Sequence, residues 1–376
     1  MTSAAQRTVT VLVYPRESNP YQPLLYSALA EAETRYRIVD IPAPRGTRRV
    51  LLHPFAAAWS LIAHARRDRR RILHIHWMYA FKLPGNPQVA SRAALASSMT
   101  FLRLATLLHY RIVWTVHNVL PHQAITSNDL AVRRRLARIA DAVIVHSTST
   151  LPALAAAGII VSDTTVIPHP SYVGRYPSGA TRSASREWLG VPADAAVCLF
   201  FGRIEPYKNV PALIAAFSVV AAAQPDAYLV VAGACKDPAL RAELTTMLAS
   251  VDRAKAELRR INDDELGSFF AAADVVACPF LDVTTSGSAM LALSFGVPIV
   301  APRIGALADL PDDVGFFYEP TDADGLSRTL AHVLSSPDDV AKAAHRAREY
   351  ADSMTWARAA AATDAVYRRV LGPSAG

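Results

Sequence analysis

The stretch ACPFLDVTTSGSAMLALSFGVPIVAP, residues 277–302, decides the fold. It closes an apolar strand begun at 273, turns through a small polar loop at 284–288, and enters a short helix over 289–295. Gly296 and Pro298 stop that helix and launch a second strand over 298–301. Thr, Thr, Ser, Gly and Ser ahead of a helix N-terminus supply hydroxyls and unpaired backbone N–H groups, and the helix dipole adds positive potential. Gly287 lets a bulky anion approach the backbone closely. On spacing alone, a phosphate cradle and an ordinary serine-capped helix fit the stretch alike.

Working outward, the same alternation fills the chain. Apolar, β-branched strands are predicted at 9–14, 37–41, 72–77, 112–116, 142–146 and 165–167, with helical patterns at 21–32, 51–67, 89–108, 130–140 and 149–157. A second series has strands at 196–201, 227–233 and 256–259 and helices at 210–223, 238–250 and 263–272, and then reaches the quoted stretch. Helices at 323–335, 337–353 and 356–371 close the chain. Strands alternating with helices imply α/β architecture with parallel sheets covered on both faces. Residues 171–186, rich in Gly, Pro, Ser and Arg, break the rhythm and read as the interdomain segment. The expected division is a first domain at 1–172, a linker at 173–183 and a second domain at 184–355; 376 residues suit two domains of about 150–200.

Composition narrows the function classes. Hydrophobic residues make up 52% and charged residues 19%, the profile of a well-cored globular chain and not of a disordered one. The apolar runs at 51–63 and 93–108 are interrupted by His, Ser or Arg, so neither reads as a membrane span, and the N-terminal residues carry no signal-peptide pattern. Cys198, Cys235 and Cys278 are widely spaced beside buried strands, which fits a reducing cytoplasm better than a disulfide framework or a metal site. Charge is split: residues 1–172 hold 20 Lys+Arg against 8 Asp+Glu, a balance of +12, and the remainder 19 against 24, a balance of −5, which together give the net +7. The basic half makes an anionic partner a live expectation. Arg66–Arg71 and Arg133–Arg135 are solvated helix faces or a surface for an anionic membrane. No aromatic stacking set accompanies them, so nucleic acid is not expected.

Ligands of doubly wound sheets bind at the carboxyl ends of strands. There Gly202 and Arg203 leave the strand CLFF, and Lys208 follows five residues after the arginine, two cations suited to a diphosphate. In the first half, His74, His76, Trp77, His117 and Asn118 end strands. His74 and His76 share a face and fit a core or a cleft equally. No third ligand accompanies them at metal-binding spacing, so no metal is expected. Glu17, beside Asn19, Tyr21 and Gln22 in the first strand–helix loop, is a candidate general base if the chemistry inverts a centre; Asp129 is its rival, and a plain surface acid is the alternative.

Gly202-Arg203 with Lys208, the turn Ile261-Asn-Asp-Asp-Glu265-Leu, the strand Ala273-Asp274-Val-Val and Gly296-Val-Pro298-Ile-Val together resemble the donor half of a GT-B glycosyltransferase. The likeness extends over essentially the whole chain, since HIHW, TVHN and VIVHS fall at the corresponding strand ends of the first half. The group resembled includes the transferases of bacterial cell-surface polysaccharides and glycolipids. The resemblance implies two Rossmann-like domains facing a cleft, with 356–376 crossing back onto the first. It implies a nucleotide-sugar donor and a glycan, glycolipid or small-molecule acceptor. Arg203, Lys208 and the loop Thr285, Ser286, Gly287, Ser288 would then hold the diphosphate, with Gly202, Asp282 and Glu265 near the donor sugar or nucleotide. His117 would lie by the donor sugar, and Tyr21, Gln22, His76 and Trp77 on the acceptor side. No metal or other cofactor is expected if the two cations and a helix N-terminus neutralise the leaving diphosphate.

One departure stands out. The group usually carries two glutamates separated by seven residues around this loop, and their positions here are Val283 and Leu291. TTSGS instead resembles a Thr-Ser-Gly subgroup that includes β-mannosyltransferase-like sequences. Stereochemistry does not carry over, and a nucleotide-sugar epimerase or a non-catalytic sugar- or nucleotide-binding protein of the same fold stays open.

Overall fold

The computed structural model describes residues 9–16, 19–33, 35–42, 47–67, 69–77, 87–121 and 126–373. The chain divides into two compact units, the first formed by residues 1–168 with 356–376 and the second by 169–355. Each holds one six-stranded parallel sheet.

In the first unit the strands are β1 (Val9–Arg16), β2 (Tyr36–Pro42), β3 (Arg71–Ile75), β4 (Arg111–Val116), β5 (Ala142–Val145) and β6 (Thr164–Val166), ordered β2-β1-β3-β4-β5-β6. The central strands are apolar on both faces because both are covered. One face packs Leu12, Leu73, Ile112, Trp114 and Val143 beneath the helices Thr47–Arg67, Pro87–Leu107 and Asp129–Ile139. The other packs Val11, Ile72, Val113 and Ile144 beneath the helices Tyr21–Ala32 and Trp356–Leu371. The last helix is a full member of this core: Tyr367 is buried, and Asp364 accepts a hydrogen bond from the Tyr36 hydroxyl at 2.6 Å. Register aligns the sheet so that Val13, His74, Val113 and Ala142 lie side by side.

In the second unit the strands are β7 (Ala196–Phe201), β8 (Ala227–Ala232), β9 (Ala254–Glu257), β10 (Val275–Ala277), β11 (Ile299–Pro302) and β12 (Gly315–Tyr318), ordered β12-β11-β10-β7-β8-β9. β7 and β10 sit at the centre, so the loops after them leave adjacent strand ends.

Two expectations are corrected here. The segment expected as a linker belongs to the second unit, and from residue 182 it is the helix Arg182–Leu189. Thr181 caps that helix, and Gly190 ends it in the left-handed conformation. Its polar composition conceals a core position: Arg186 is 2% exposed and donates to Asp274 Oδ2 at 2.9 Å and to the Ala272 carbonyl at 3.2 Å. The strand expected over 273–280 stops at Ala277. Pro279 has no N–H for the ladder, and the chain turns there, with the Phe280 N–H on the Cys278 carbonyl and the Leu281 N–H on that of Tyr207.

Candidate functional site

In the second unit Gly202, Lys208 and Ser288 lie together. Gly202 leaves β7 with φ of +125°, and a Cβ there would lie 2.8 Å from Ser288 Oγ and 3.1 Å from Lys208 Nζ. At Gly233, with φ of +150°, a Cβ would come within 1.8 Å of the Gly202 carbonyl oxygen. Only glycine lets the ends of β7 and β8 close together while leaving Lys208 and Ser288 room beside them.

Lys208 lies on the single turn Pro206–Lys208, is 8% exposed, and donates to Ser288 Oγ at 3.2 Å. The rings of Phe200 and Phe280 lie 5.9 and 5.4 Å from its ammonium. Among the described residues no carboxylate is within ion-pair distance, and burial pulls its pKa down to about 8. Ser286 caps the helix Gly287–Ser294, its Oγ accepting from the Ala289 N–H at 3.1 Å. The first-turn N–H groups of Gly287 and Ser288 take no intrahelical partner, and Thr285 Oγ1 is buried with no hydrogen-bond partner among the described residues. A buried ammonium, hydroxyls and a helix N-terminus therefore meet with no carboxylate at ion-pair distance of the ammonium among the described residues. Their common ligand is an anion.

The other residues expected around a donor are placed differently. Arg203 has a 69% exposed side chain, with Glu205 at 3.8 Å. Asp282 is exposed. Glu265 is committed to its own turn: it accepts from Arg259 Nη1 at 2.9 Å and from the Asn262 N–H at 3.0 Å, and Arg259 above all holds its pKa down to about 2. Val283 and Leu291, where the paired glutamates would fall, are buried apolar side chains. Tyr172, which the sequence did not single out, brings its hydroxyl to 3.5 Å from where a Cβ of Gly287 would be.

In the first unit three neighbouring strands each place a histidine at the first position past the strand: His76 after β3, His117 after β4 and His146 after β5. All three are buried. Tyr21 gathers them, with ring centroids 5.9 Å from His76, 4.9 Å from His117 and 5.1 Å from His146. Trp77 stacks on His117 at 4.3 Å. His76 Nδ1 is 3.1 Å from His117 Nε2, and His76 Nε2 is 2.7 Å from the Tyr26 hydroxyl. Burial lowers the pKa of His74 to about 3 and of His146 to about 4, and drives that of His76 down as well, so these rings are neutral. Gln22 is fully buried and donates to the Pro15 carbonyl at 2.8 Å, holding the first loop. Glu17 lies outside the described residues. His146 and Tyr26 were legible only in part: a histidine directly after three successive strands is a visible pattern, but a tyrosine inside an amphipathic helix is not.

Residues 195–336 match the family model of the group 1 glycosyl transferases. A D-inositol 3-phosphate glycosyltransferase of Saccharomonospora viridis is 31% identical over 201 residues, covering 51% of this chain and 47% of that protein. The chain thus spans about half the length of that curated relative. A GDP-mannose:glycolipid 4-beta-D-mannosyltransferase of Xanthomonas campestris is 27% identical over 349 residues, covering 89% of this chain and 87% of that protein. Among solved structures, sucrose-phosphate synthase of Thermosynechococcus elongatus superposes with a TM-score of 0.75 at 18% identity, over 97% of this chain and 99% of that one. Anabaena HepE in complex with UDP and glucose does so with a TM-score of 0.73 at 17% identity, over 96% and 99%. The fold is that of the GT-B glycosyltransferases, and the match to the group 1 family lies in residues 195–336.

Proposed function

We propose that this chain transfers a sugar from a nucleoside diphosphate sugar, GDP-mannose or a UDP-sugar, to a hydroxyl of a glycan, glycolipid or small-molecule acceptor. The observation that carries the reading is Lys208, a buried ammonium beside the Ser286-capped helix with no carboxylate at ion-pair distance among the described residues. Charge develops on the departing diphosphate as the glycosidic bond breaks, and pre-placed donors stabilise it without reorganising. Arg203, exposed at the rim, is free to fold onto the same group. The Xanthomonas relative, named for GDP-mannose and a glycolipid, and the UDP complex of HepE support the choice of donors.

The test is product analysis with candidate donors, with and without acceptor. A transferase releases nucleoside diphosphate; an epimerase returns an isomerised donor, and a binding protein releases nothing. Lys208, Arg203 and the helix N-terminus do the neutralising in this reading, so turnover is expected to be unchanged in excess EDTA. Loss of activity that a divalent ion restores would overturn the metal-independent mechanism.

We further place the chain in the cytoplasm, peripheral on the inner leaflet. In this reading the arginines that serve are those not already bonded within the fold. Arg70 donates to the Gly372 carbonyl at 3.2 Å, Arg71 donates to that of Leu108 at 3.1 Å, and Arg133 is buried, so these are spent within the fold. Arg66, Arg67 and Arg69 are exposed, and the helix Thr47–Arg67 also exposes Phe55 and Trp59 one turn apart. A groove of about 520 Å³ on the same unit adds Arg103 and Arg135; Arg134 and Arg138 line it too but donate to the Gly158 carbonyl at 2.9 Å and the Arg134 carbonyl at 3.2 Å. Flotation with anionic vesicles is expected to weaken steeply with salt and to fall severalfold in Arg66→Gln/Arg67→Gln/Arg69→Gln. Equal binding to neutral and anionic vesicles removes this reading.

A further inference from the structure

The helices Thr47–Arg67, Pro87–Leu107 and Asp129–Ile139 cover one face of the first sheet, and arginines recur along all three. Asp129 is the single carboxylate in them, and its Oδ1 accepts from both the N–H and the hydroxyl of Thr126 at 2.8 Å. The groove of about 520 Å³ lies between the second and third of these helices. It follows the third from Asn128 to Arg138, a length of about 15 Å at the helical rise per residue. Arg103 enters it from the facing helix, Arg134, Arg135 and Arg138 from this one, and no described residue lining it is acidic.

Two of the four guanidinium groups are fixed in place. Arg134 donates from Nε to the Gly158 carbonyl at 2.9 Å and from Nη2 to that of Ala157 at 3.2 Å, and Arg138 donates from Nε to the Arg134 carbonyl at 3.2 Å. Gly158 makes room for the first of these, since a Cβ there would lie 2.5 Å from Arg134 Nη2. The bonds leave Arg134 Nη1 and both terminal nitrogens of Arg138 without an acceptor among the described residues. Arg103 and Arg135 have no acceptor among those residues, and none of the four has a carboxylate at ion-pair distance there. Like charges three and four residues apart weaken a helix, so the pattern does not serve the helix itself. Solvated arginines on a convex face need no partner, but these share one concavity.

We propose that this groove binds a phosphoryl group, presented by a lipid head group or by a soluble phosphate compound. A guanidinium fork pairs two N–H groups with two phosphate oxygens. A phosphomonoester offers up to about two negative charges and three acceptor oxygens, enough to engage several such forks. Asn128 accepts from the Ala131 N–H at 2.9 Å through its Oδ1, and its amide N–H groups add donors at one end of the groove. The site lies in the other unit from Lys208 and does not depend on sugar transfer. It gives the membrane placement proposed above a specific head-group contact and stands without that placement where the ligand is soluble.

Two measurements on the full chain test the groove. Tripolyphosphate is titrated calorimetrically into Lys208→Met, chosen to weaken the anion site of the other unit. Adding Arg103→Gln/Arg135→Gln should weaken the remaining binding about tenfold, and Arg103→Lys/Arg135→Lys, which keeps the charge and loses the fork, should weaken it severalfold. The melting temperature of either double variant should not fall, because the side chains line an open groove. In the second measurement, phosphatidylcholine vesicles carrying phosphatidic acid are compared by flotation with vesicles carrying phosphatidylglycerol at matched surface charge. A head-group site prefers the phosphomonoester and loses that preference in Arg103→Gln/Arg135→Gln. Arginine-dependent binding of tripolyphosphate without a lipid preference assigns the groove to soluble phosphate compounds, and an arginine-dependent lipid preference assigns it to a head group. If neither probe depends on Arg103 and Arg135, or if the lysine variant binds as well as the arginines do, the groove is diffuse positive charge and the proposal falls. Salt-sensitive binding to anionic vesicles regardless of head group would then leave the membrane placement intact and the groove refuted.

Discussion

Replacing Lys208 with methionine is expected to cost most of the donor affinity and, at the same time, to make the protein more stable. A charge-assisted hydrogen bond to a phosphate contributes about 1.5–3 kcal/mol, roughly a tenfold to hundredfold loss in binding. The stability sign follows from the depressed pKa. Burial lowers Lys208 from 10.5 in the unfolded chain to about 8 in the folded one. The native state thus disfavours the charged form that the unfolded chain holds, and the penalty is complete below pH 8 and shrinks as pH rises from 8 towards 10.5. A shift of this size corresponds to roughly 3–4 kcal/mol at neutral pH. Methionine keeps the apolar stem between Phe200 and Phe280 and removes the charge. Denaturant melts and nucleotide titrations on one protein sample read both effects. Diphosphate affinity should also be flat below pH 8 and decline above it, since binding an anion demands the protonated amine. Unaltered donor affinity in Lys208→Met would sink the diphosphate assignment, whatever the melt showed.

That a lysine sits at 208 was plain in the sequence; that it is buried was not. The motif reading placed Arg203 and Lys208 as equals, whereas the fold makes one a core ammonium and the other a solvated side chain. The difference comes from Gly202 and Gly233, whose missing Cβ atoms let two strand ends close over Lys208, and that contact joins residues far apart in sequence. The parallel architecture was legible because apolar strands alternating with amphipathic helices have few other solutions. What misled was polarity. Residues 171–186 read as linker by composition, yet Arg186 lies in the helix Arg182–Leu189, and Asp274 satisfies it from the start of a strand almost ninety residues on. Glu265 shows the reverse case: its carboxylate looks available in sequence, and only the fold reveals Arg259 closing on it.

The second large effect is expected at His117. Its ring stands at the end of β4, buried against Tyr21 and stacked by Trp77, with its Nε2 joined to His76. His117→Ala should lower turnover by about tenfold to a thousandfold, the range for one positioned group acting on a transition state. Donor affinity should change far less, because Lys208, Ser288 and the helix at Gly287 belong to the other unit. The reason for expecting a loss in kcat and not merely in stability lies in how the ring is held. A purely structural histidine would need its partners only to satisfy one another, whereas three rings at successive strand ends, of which His76 and His146 are kept neutral by burial, bring polar atoms to the end of the sheet where ligands of such folds bind. Melting temperature, donor Kd and kcat measured on the same variant separate the two roles. A variant that melts lower yet turns over at the wild-type rate makes His117 a packing residue, while a drop in kcat with Kd and melting temperature nearly unchanged makes it part of the chemistry.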